Sequence, residues 1–140
     1  MSKVFIDATG WHALVNKNHT YHQQAREYFQ TLLDSNARLY TNVLELNTAI
    51  TEIKKECDLA TSIDFSKIIE ESSLSASLNI SWYTRRMRRA VLKHFFSIKD
   101  PDIDVKHCAI FEDVRKKKIN FIFSFDDHLK KFGIPLMPQA

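Results

Sequence analysis

Glycine is scarce in this sequence of 140 residues, in which it occurs only at Gly10 and Gly133. The Walker A loop and the dinucleotide-binding fingerprint each need several glycines, because their backbone amides must approach phosphate closely. Both motifs are therefore excluded. Any phosphate chemistry in this chain must depend on side chains or on a metal ion.

Cysteine and long apolar runs are also scarce. Cys57 and Cys108 both fall in apolar helical patterns, so we expect buried free thiols in a reduced compartment and neither a disulfide nor a zinc site. No apolar run approaches the roughly 20 residues of a membrane-spanning helix, and the N-terminal MSKVFIDATG lacks the apolar region of a signal peptide. We therefore expect a cytoplasmic protein without membrane contact.

The remaining composition, 44% apolar and 26% charged, is that of an ordinary globular protein, and the length predicts one domain over residues 1–140. The net charge of +3 is unevenly distributed. Each of two cationic clusters is as consistent with a solvated helix face as with a surface that binds a polyanion such as RNA. The clusters are Arg85, Arg86, Arg88 and Arg89, and Arg115, Lys116, Lys117 and Lys118.

Strand-like and helix-like patterns alternate along the chain. The candidate strands are 4–6, 37–41, 78–80, 119–124 and an edge strand at 135–137. The candidate helices are 21–34, 43–57, 62–71, 85–97, one that starts after Asp104, and 127–132. This alternation predicts an α/β sandwich with a mostly parallel sheet covered by helices on both faces.

Acidic residues stand where strands and helices of this fold would meet. Asp7 follows the first strand and Asp126 the strongest later strand, so both should project from the carboxyl edge of the sheet. Glu45 lies in the first turn of the helix that begins at the same edge, and Asp104 and His107 open the helix before Asp126. Carboxylates gathered at one edge repel unless a proton or a divalent cation neutralises them, and hard oxygen ligands favour Mg²⁺ or Mn²⁺.

These acids also have ordinary structural roles. Asp104 suits an N-cap better than a ligand, and Glu45 alone would be an unexceptional first-turn glutamate. Asp7 and Asp126 differ, because each directly ends a buried apolar strand where an unpaired charge is costly. That pair favours a shared cation.

The chain resembles PIN-domain ribonucleases of the VapC-like toxin branch over nearly its full length. The matching segments, in the same order, are VFIDATGW (4–11), NKNHTYHQQA (16–25), TNVLELNTAI (41–50) and IDVKHCAIFEDVRKKKINFIFSFDDHLKKFGI (103–134). The resemblance implies a PIN-like three-layer α/β/α sandwich that hydrolyses RNA phosphodiester bonds with Mg²⁺ or Mn²⁺ in an acidic pocket. It also implies the toxin of a toxin–antitoxin pair, with a small antitoxin partner and a homodimer.

By this resemblance Asp7, Glu45 and Asp126 are the catalytic acids that bind the metal. Ser124 matches a hydroxyl residue two places before the last acid, and Thr9 matches a small polar residue after the first.

The family's remaining acid normally lies nineteen residues before the last one, and here that position is His107. Three interpretations follow. Asp104, on the same helix face, replaces the acid in part as a catalytic and metal-binding residue. His107 itself binds metal through a neutral imidazole and shifts the preference toward Mn²⁺. Or a protonated His107 takes the place of the cation and leaves an inactive pocket.

The leading hypothesis is a metal-dependent endoribonuclease whose RNA backbone is held by Arg85, Arg86, Arg88, Arg89, Lys116 and Lys117. The alternative is a catalytically degenerate module of the same fold that binds RNA or protein.

Other enzyme classes fit less well. A Toprim-like D-x-D site at Asp102–Asp104 would leave Asp7 unexplained, and a haloacid-dehalogenase site would need an acid at position 9, which is a threonine. Trp11 and Trp82 could stack on bases, but we expect both in the core.

Overall fold

Short apolar runs form the strands of a central sheet, which the intervening helices cover. A computed structural model describes residues 2–138 of the chain. The strands are β1 Lys3–Ile6, β2 Arg38–Asn42, β3 Leu78–Ser81, β4 Phe121–Phe123 and β5 Leu136–Met137. The helices are α1 Ala8–Val15, α2 His22–Asp34, α3 Val43–Glu56, α4 Leu59–Leu74, α5 Arg85–Ser97 and α6 Val105–Lys117, with a 3₁₀ helix over Asp127–Phe132.

The strands are all parallel, in the order β3-β2-β1-β4-β5. The predicted α/β fold with a mostly parallel sheet is confirmed. The central strand β1 carries the fully buried run Val4–Ile6, as expected for a strand covered on both faces. The direction in which strands are added reverses between β1 and β4. In sheets of this kind, ligands bind at the carboxyl ends of the strands that flank such a reversal.

Alternate residues of β1 pack into different helical layers. Val4 and Ile6 belong to an apolar cluster with residues of α1, α2, α3 and α4. Phe5 points the other way and packs with Ile110 and Val114 of α6. The sheet therefore lies between two layers of helices. No helix within residues 2–138 is long and apolar enough to cross a membrane.

The structure differs from the sequence expectations at several boundaries. Helix α1 was not predicted. Helix α4 begins three residues before the predicted 62–71, because Asp58 caps it by accepting a hydrogen bond from the Thr61 amide at 2.7 Å. The predicted strand 119–124 shortens to β4, which pairs with only three residues of β1. Both cysteines are free thiols; Cys108 is buried and Cys57 only half-buried.

Helix α1 lies so close to β4 that only glycine fits at position 10. A Cβ at Gly10 would lie 2.6 Å from the Phe123 carbonyl oxygen and 3.2 Å from Cγ2 of Ile6. The obstacle is backbone, which cannot rotate away. We therefore expect Gly10→Ala to lower the free energy of unfolding by about 2 kcal/mol, measured by urea denaturation.

Gly133→Ala is the matched control. Gly133 has φ +75° and open space around it, so its substitution carries only a backbone penalty of about 1 kcal/mol. If Gly10→Ala were as stable as the native chain, α1 would have to be free to move off β4.

Candidate active site

Four helix N-termini meet at the carboxyl edge of the sheet, and each carries a polar cap. Asp7 caps α1, Asn42 caps α3, Asp104 caps α6 and Asp126 caps the 3₁₀ helix. A cavity of about 100 Å³ lies between them. This acidic pocket is lined by Asp7, Ala8, Thr9, Glu45, Thr48, Asp104, Lys106, His107, Ile110 and Asp126.

Asp7 is buried at the end of the central strand, with 2% of its surface exposed. One carboxylate oxygen, Oδ1, accepts hydrogen bonds from the Gly10 amide at 2.9 Å and from the Thr9 hydroxyl at 2.6 Å. The other, Oδ2, accepts from the Ser124 hydroxyl at 2.5 Å. Burial nevertheless outweighs these bonds and raises the pKa of Asp7 to about 6.

Two hydroxyl groups join the end of β4 to Asp7. Ser124 donates to Asp7 and accepts from the Asp126 amide at 2.9 Å. Thr9 likewise donates to Asp7 and accepts from the Phe125 amide at 2.9 Å. The two sequence-predicted hydroxyl residues therefore hold the first acid and the loop of the last acid together.

Glu45 lies in the first turn of α3, as predicted, and is 5% exposed. Its Oε1 accepts a hydrogen bond from the Ala8 amide at 3.0 Å, so the glutamate joins α3 to the start of α1. Burial, and then the nearby charge of Asp7, raise the pKa of Glu45 to about 7.

Sequence reasoning missed two residues that hold Glu45 in place. The side-chain oxygen of Asn42 accepts the Glu45 amide hydrogen at 2.8 Å, and its Nδ2 donates to Oδ2 of buried Asp113 at 2.9 Å. An asparagine directly before a helix is a recognisable capping signal. Asp113, in the middle of α6 and 71 residues away, offers no such signal.

Asp7 and Glu45 form no ion pair in the described part of the chain, although Lys106 lines the same pocket and its charge opposes the rise in the pKa of Glu45. Two buried, unneutralised carboxylates are hard oxygen donors that suit a divalent cation. In the same part of the chain, however, no three histidine, cysteine, aspartate or glutamate side chains are arranged to hold a metal ion.

His107 uses both ring nitrogens inside the pocket. Its Nδ1 accepts the Asp104 amide hydrogen at 3.0 Å, which assigns the proton of the neutral ring to Nε2. Nε2 then donates to Oδ2 of Asp126 at 2.7 Å. The hydrogen bond with Asp126 raises the pKa of His107 and lowers that of Asp126. If Nδ1 gained a proton, it could no longer accept the Asp104 amide hydrogen. It would donate instead to Asp104 Oδ1, which lies 3.3 Å away.

Asp104 is the N-cap of α6, as predicted, and its Oδ1 accepts the His107 amide hydrogen at 2.9 Å. Its side chain is 56% exposed, so it lies at the mouth of the pocket, whereas Asp7 and Glu45 lie inside. The structure thus brings together the five candidate ligands named from the sequence, which are Asp7, Glu45, Asp104, His107 and Asp126. It places Asp126 in a hydrogen bond with His107.

The two cationic clusters lie on different helices. The exposed arginines at 85–89 open α5, which follows the carboxyl end of β3 and therefore begins at the edge that carries the pocket. Lys116 and Lys117 end α6, roughly 20 Å from its first residue. There the Lys3 side chain, at the start of β1, donates to the Lys117 carbonyl at 2.9 Å. The arginines therefore share the edge of the sheet that carries the pocket, but no residue of either cluster is among those that line it.

Two solved structures share this fold. The crystal structure of VapC20 from Mycobacterium tuberculosis, a sarcin–ricin loop cleaving toxin, matches with a TM-score of 0.79 and 19% identity, over 94% of this chain and 95% of that chain. The crystal structure of VapBC2 from Rickettsia felis, bound to a DNA fragment from the VapBC2 promoter, matches with a TM-score of 0.67 and 11% identity, over 96% of each chain. No family model and no curated protein matches. The fold is VapC-like and PIN-type.

Glu45→Gln should make the metal-free protein more stable at alkaline pH. A folded-state pKa of about 7 against the usual 4.5 means that the folded protein holds this proton more tightly, so stability falls as the pH rises between these values. The amide keeps the Ala8 hydrogen bond and removes the charge. We expect a gain on the order of 2 kcal/mol at pH 8, where the native glutamate is ionised, measured by urea denaturation in EDTA.

Glu56→Gln, at the exposed end of the same helix, is the control and should leave the pH profile of stability unchanged. If Glu45→Gln kept the native slope between pH 4.5 and 7, Glu45 would not be the group that titrates there.

Proposed function

We propose that this chain, with its PIN-type fold, is an endoribonuclease that hydrolyses RNA phosphodiester bonds with the help of a divalent cation. The observation that carries the proposal is the pair of buried carboxylates, Asp7 and Glu45, that have raised pKa values and form no ion pair among the described residues. They lie beside the strand-order reversal, where ligands of such sheets bind. The likeness to a toxin that cleaves the sarcin–ricin loop supports RNA as the substrate.

Asp7, Glu45 and Asp126 would hold Mg²⁺ or Mn²⁺. Such a cation, when bound, neutralises charge on phosphate oxygens and acidifies a water molecule. Ser124 and Thr9 keep the Asp7 carboxylate oriented by donating to both of its oxygens. Asn42 keeps Glu45 at the first turn of α3.

Asp104 and His107 contribute differently to the proposed site. Asp104 adds negative charge at the pocket mouth, and His107 orients Asp126 through the Nε2 hydrogen bond. With one nitrogen bonded to a backbone amide and the other to a carboxylate, His107 has no free lone pair for a metal.

A second candidate function is a non-catalytic module that binds RNA or protein. The hydrogen bond between His107 and Asp126 is the observation that favours it, because it occupies one of the three acids. In such a module a protonated His107 would supply part of the positive charge that a cation otherwise supplies.

We further propose a small antitoxin partner and a homodimer. A groove of about 750 Å³ supports a protein partner, since its apolar lining includes Leu33 and Ile68, which are 49% and 60% exposed. The groove lies between α1, α2 and α4, and its walls include Leu14, Phe29, Leu33, Phe65 and Ile68. Light scattering of the chain alone tests the homodimer.

Asp7→Asn should abolish cleavage. We expect purified protein to cleave a structured RNA with Mg²⁺ or Mn²⁺ and not with EDTA, and we expect the variant to lose at least about 100-fold in rate, because a cation loses its most buried ligand. The amide oxygen can still accept from Gly10 and Thr9, and the amide NH₂ can donate to the Ser124 hydroxyl in place of accepting from it, so the variant should still fold. The readouts are gel-based cleavage and thermal unfolding.

Asp64→Asn, at an exposed position of α4, is the matched control and should cleave like the native chain. Cleavage that persists in EDTA or in Asp7→Asn would contradict the proposed site. Folded protein without cleavage under any of these metals would favour the non-catalytic module.

His107→Asp separates the two candidate functions. The extra carboxylate should increase the thermal stabilisation by Mn²⁺ or Mg²⁺ and lower the melting temperature in EDTA, because the bond to Asp126 is broken and charge repulsion is added. His107→Asn is the control for size, since it breaks the same bond without adding charge.

Cleavage that appears only in His107→Asp would show that the native chain is a non-catalytic module that lacks one metal ligand, at position 107. Equal metal stabilisation of the aspartate and asparagine variants would show that position 107 does not face the cation.

A further inference from the structure

Trp82 lies at the same edge of the sheet as the acidic pocket. It directly follows Ser81, the last residue of β3, and Ser81 is the register partner of Asn42, which caps the helix of Glu45. Strand β2 separates β3 from β1, so the end of β3 is two strand spacings, roughly 10 Å, from the end that carries Asp7. The tryptophan therefore borders the site without belonging to it.

Our expectation that both tryptophans lie in the core is wrong for Trp82. Trp11 is 5% exposed and packs edge-on against Phe65, whereas Trp82 is 68% exposed. Within residues 2–138 its ring has no aromatic neighbour. A large aromatic surface is thus presented to solvent beside the pocket.

The arginines next to Trp82 are unneutralised. Helix α5 contains four arginines and a lysine but no acid, and in the described part of the chain none of the four arginines forms an ion pair. They occupy its first turns, where the helix dipole disfavours cations. The helix is held instead by Met87 and Val91, which are buried against α6. The arginines therefore destabilise this helix end, and a polyanion would supply the missing countercharge.

We propose that Trp82 and the arginines at 85–89 form a binding site for single-stranded RNA, in which a base stacks on the indole and the guanidinium groups hold phosphates. This stacking site deepens the proposed function and rests on it for the substrate. Exposed aromatics beside cations are how proteins bind single strands, because every unpaired base offers a face for stacking. A duplex hides those faces. An acidic protein would neutralise the arginines but would leave the exposed indole without a role.

Tryptophan fluorescence tests the stacking site without cleavage. In EDTA, a single-stranded RNA of about eight nucleotides should quench the emission of Trp82, since Trp11 is shielded. Trp82→Phe should lose the quenching but bind within about threefold of the native affinity by fluorescence anisotropy, because phenylalanine also stacks. Trp82→Ala should bind at least about fivefold more weakly.

Phe96→Ala is the matched control, since Phe96 is 77% exposed near the other end of the same helix, and its removal should leave affinity unchanged. Arg85→Gln with Arg86→Gln should reduce the log–log slope of affinity against salt by about 1.4, because each phosphate that an arginine neutralises adds roughly 0.7 to that slope. The pair Lys54→Gln and Lys55→Gln, at the far end of α3, should leave the slope unchanged.

Native affinity in Trp82→Ala, or equal binding of a duplex of the same sequence, would overturn the stacking site. If the protein still cleaved RNA in either case, the proposed nuclease activity would be unaffected. The expected quenching and affinity losses without any cleavage would overturn the nuclease and leave the stacking site standing.

Discussion

The burial of the Asp7 carboxylate is the constraint on which the rest of this edge of the molecule depends. A charge at the end of a fully covered strand must be solvated by the protein, and here α1, Thr9 and Ser124 supply its hydrogen bonds. Each of these donors also connects to something else. Ser124 and Thr9 hold the loop of Asp126, and the first amide of α1 binds Glu45. The need to solvate one acid therefore positions the others.

The carboxylates of the pocket are not compensated equally. Asp7 and Glu45 form no ion pair within residues 2–138 and have raised pKa values, whereas Asp126 has a lowered pKa because His107 donates to it. An acid at position 107 would have left all the carboxylates in need of an external cation. The histidine instead stabilises the Asp126 carboxylate from within the pocket by donating a hydrogen bond to it. Whether a cation can compete with this hydrogen bond for Asp126 would separate the proposed metal-dependent nuclease from a pocket that needs no metal.

Much of this arrangement could be predicted, because strand ends and helix starts are visible in apolar patterns. The sheet and the positions of Asp7 and Glu45 follow from those patterns, whereas the place of His107 in the pocket was implied by the resemblance to PIN-domain ribonucleases. Helix α1 does not follow from the patterns, since Gly10 in its first turn disfavours helix and is required only by the approach to β4. The contact between Asn42 and Asp113 joins residues far apart in sequence. The exposure of Trp82 depends on where β3 ends relative to α5, which composition does not reveal.

Affinity for RNA and chemistry on RNA have opposite electrostatic requirements at this edge. The acids of the pocket repel a phosphate until a cation or proton neutralises them, so they cannot supply binding energy on their own. The arginines of α5, which form no ion pair within the described residues, could supply it, and they lie outside the pocket beyond the end of a different strand. In the proposed nuclease, binding would thereby be separated from catalysis in space. A change inside the pocket, such as histidine for an acid at position 107, would then weaken metal binding and leave the proposed RNA-binding surface intact.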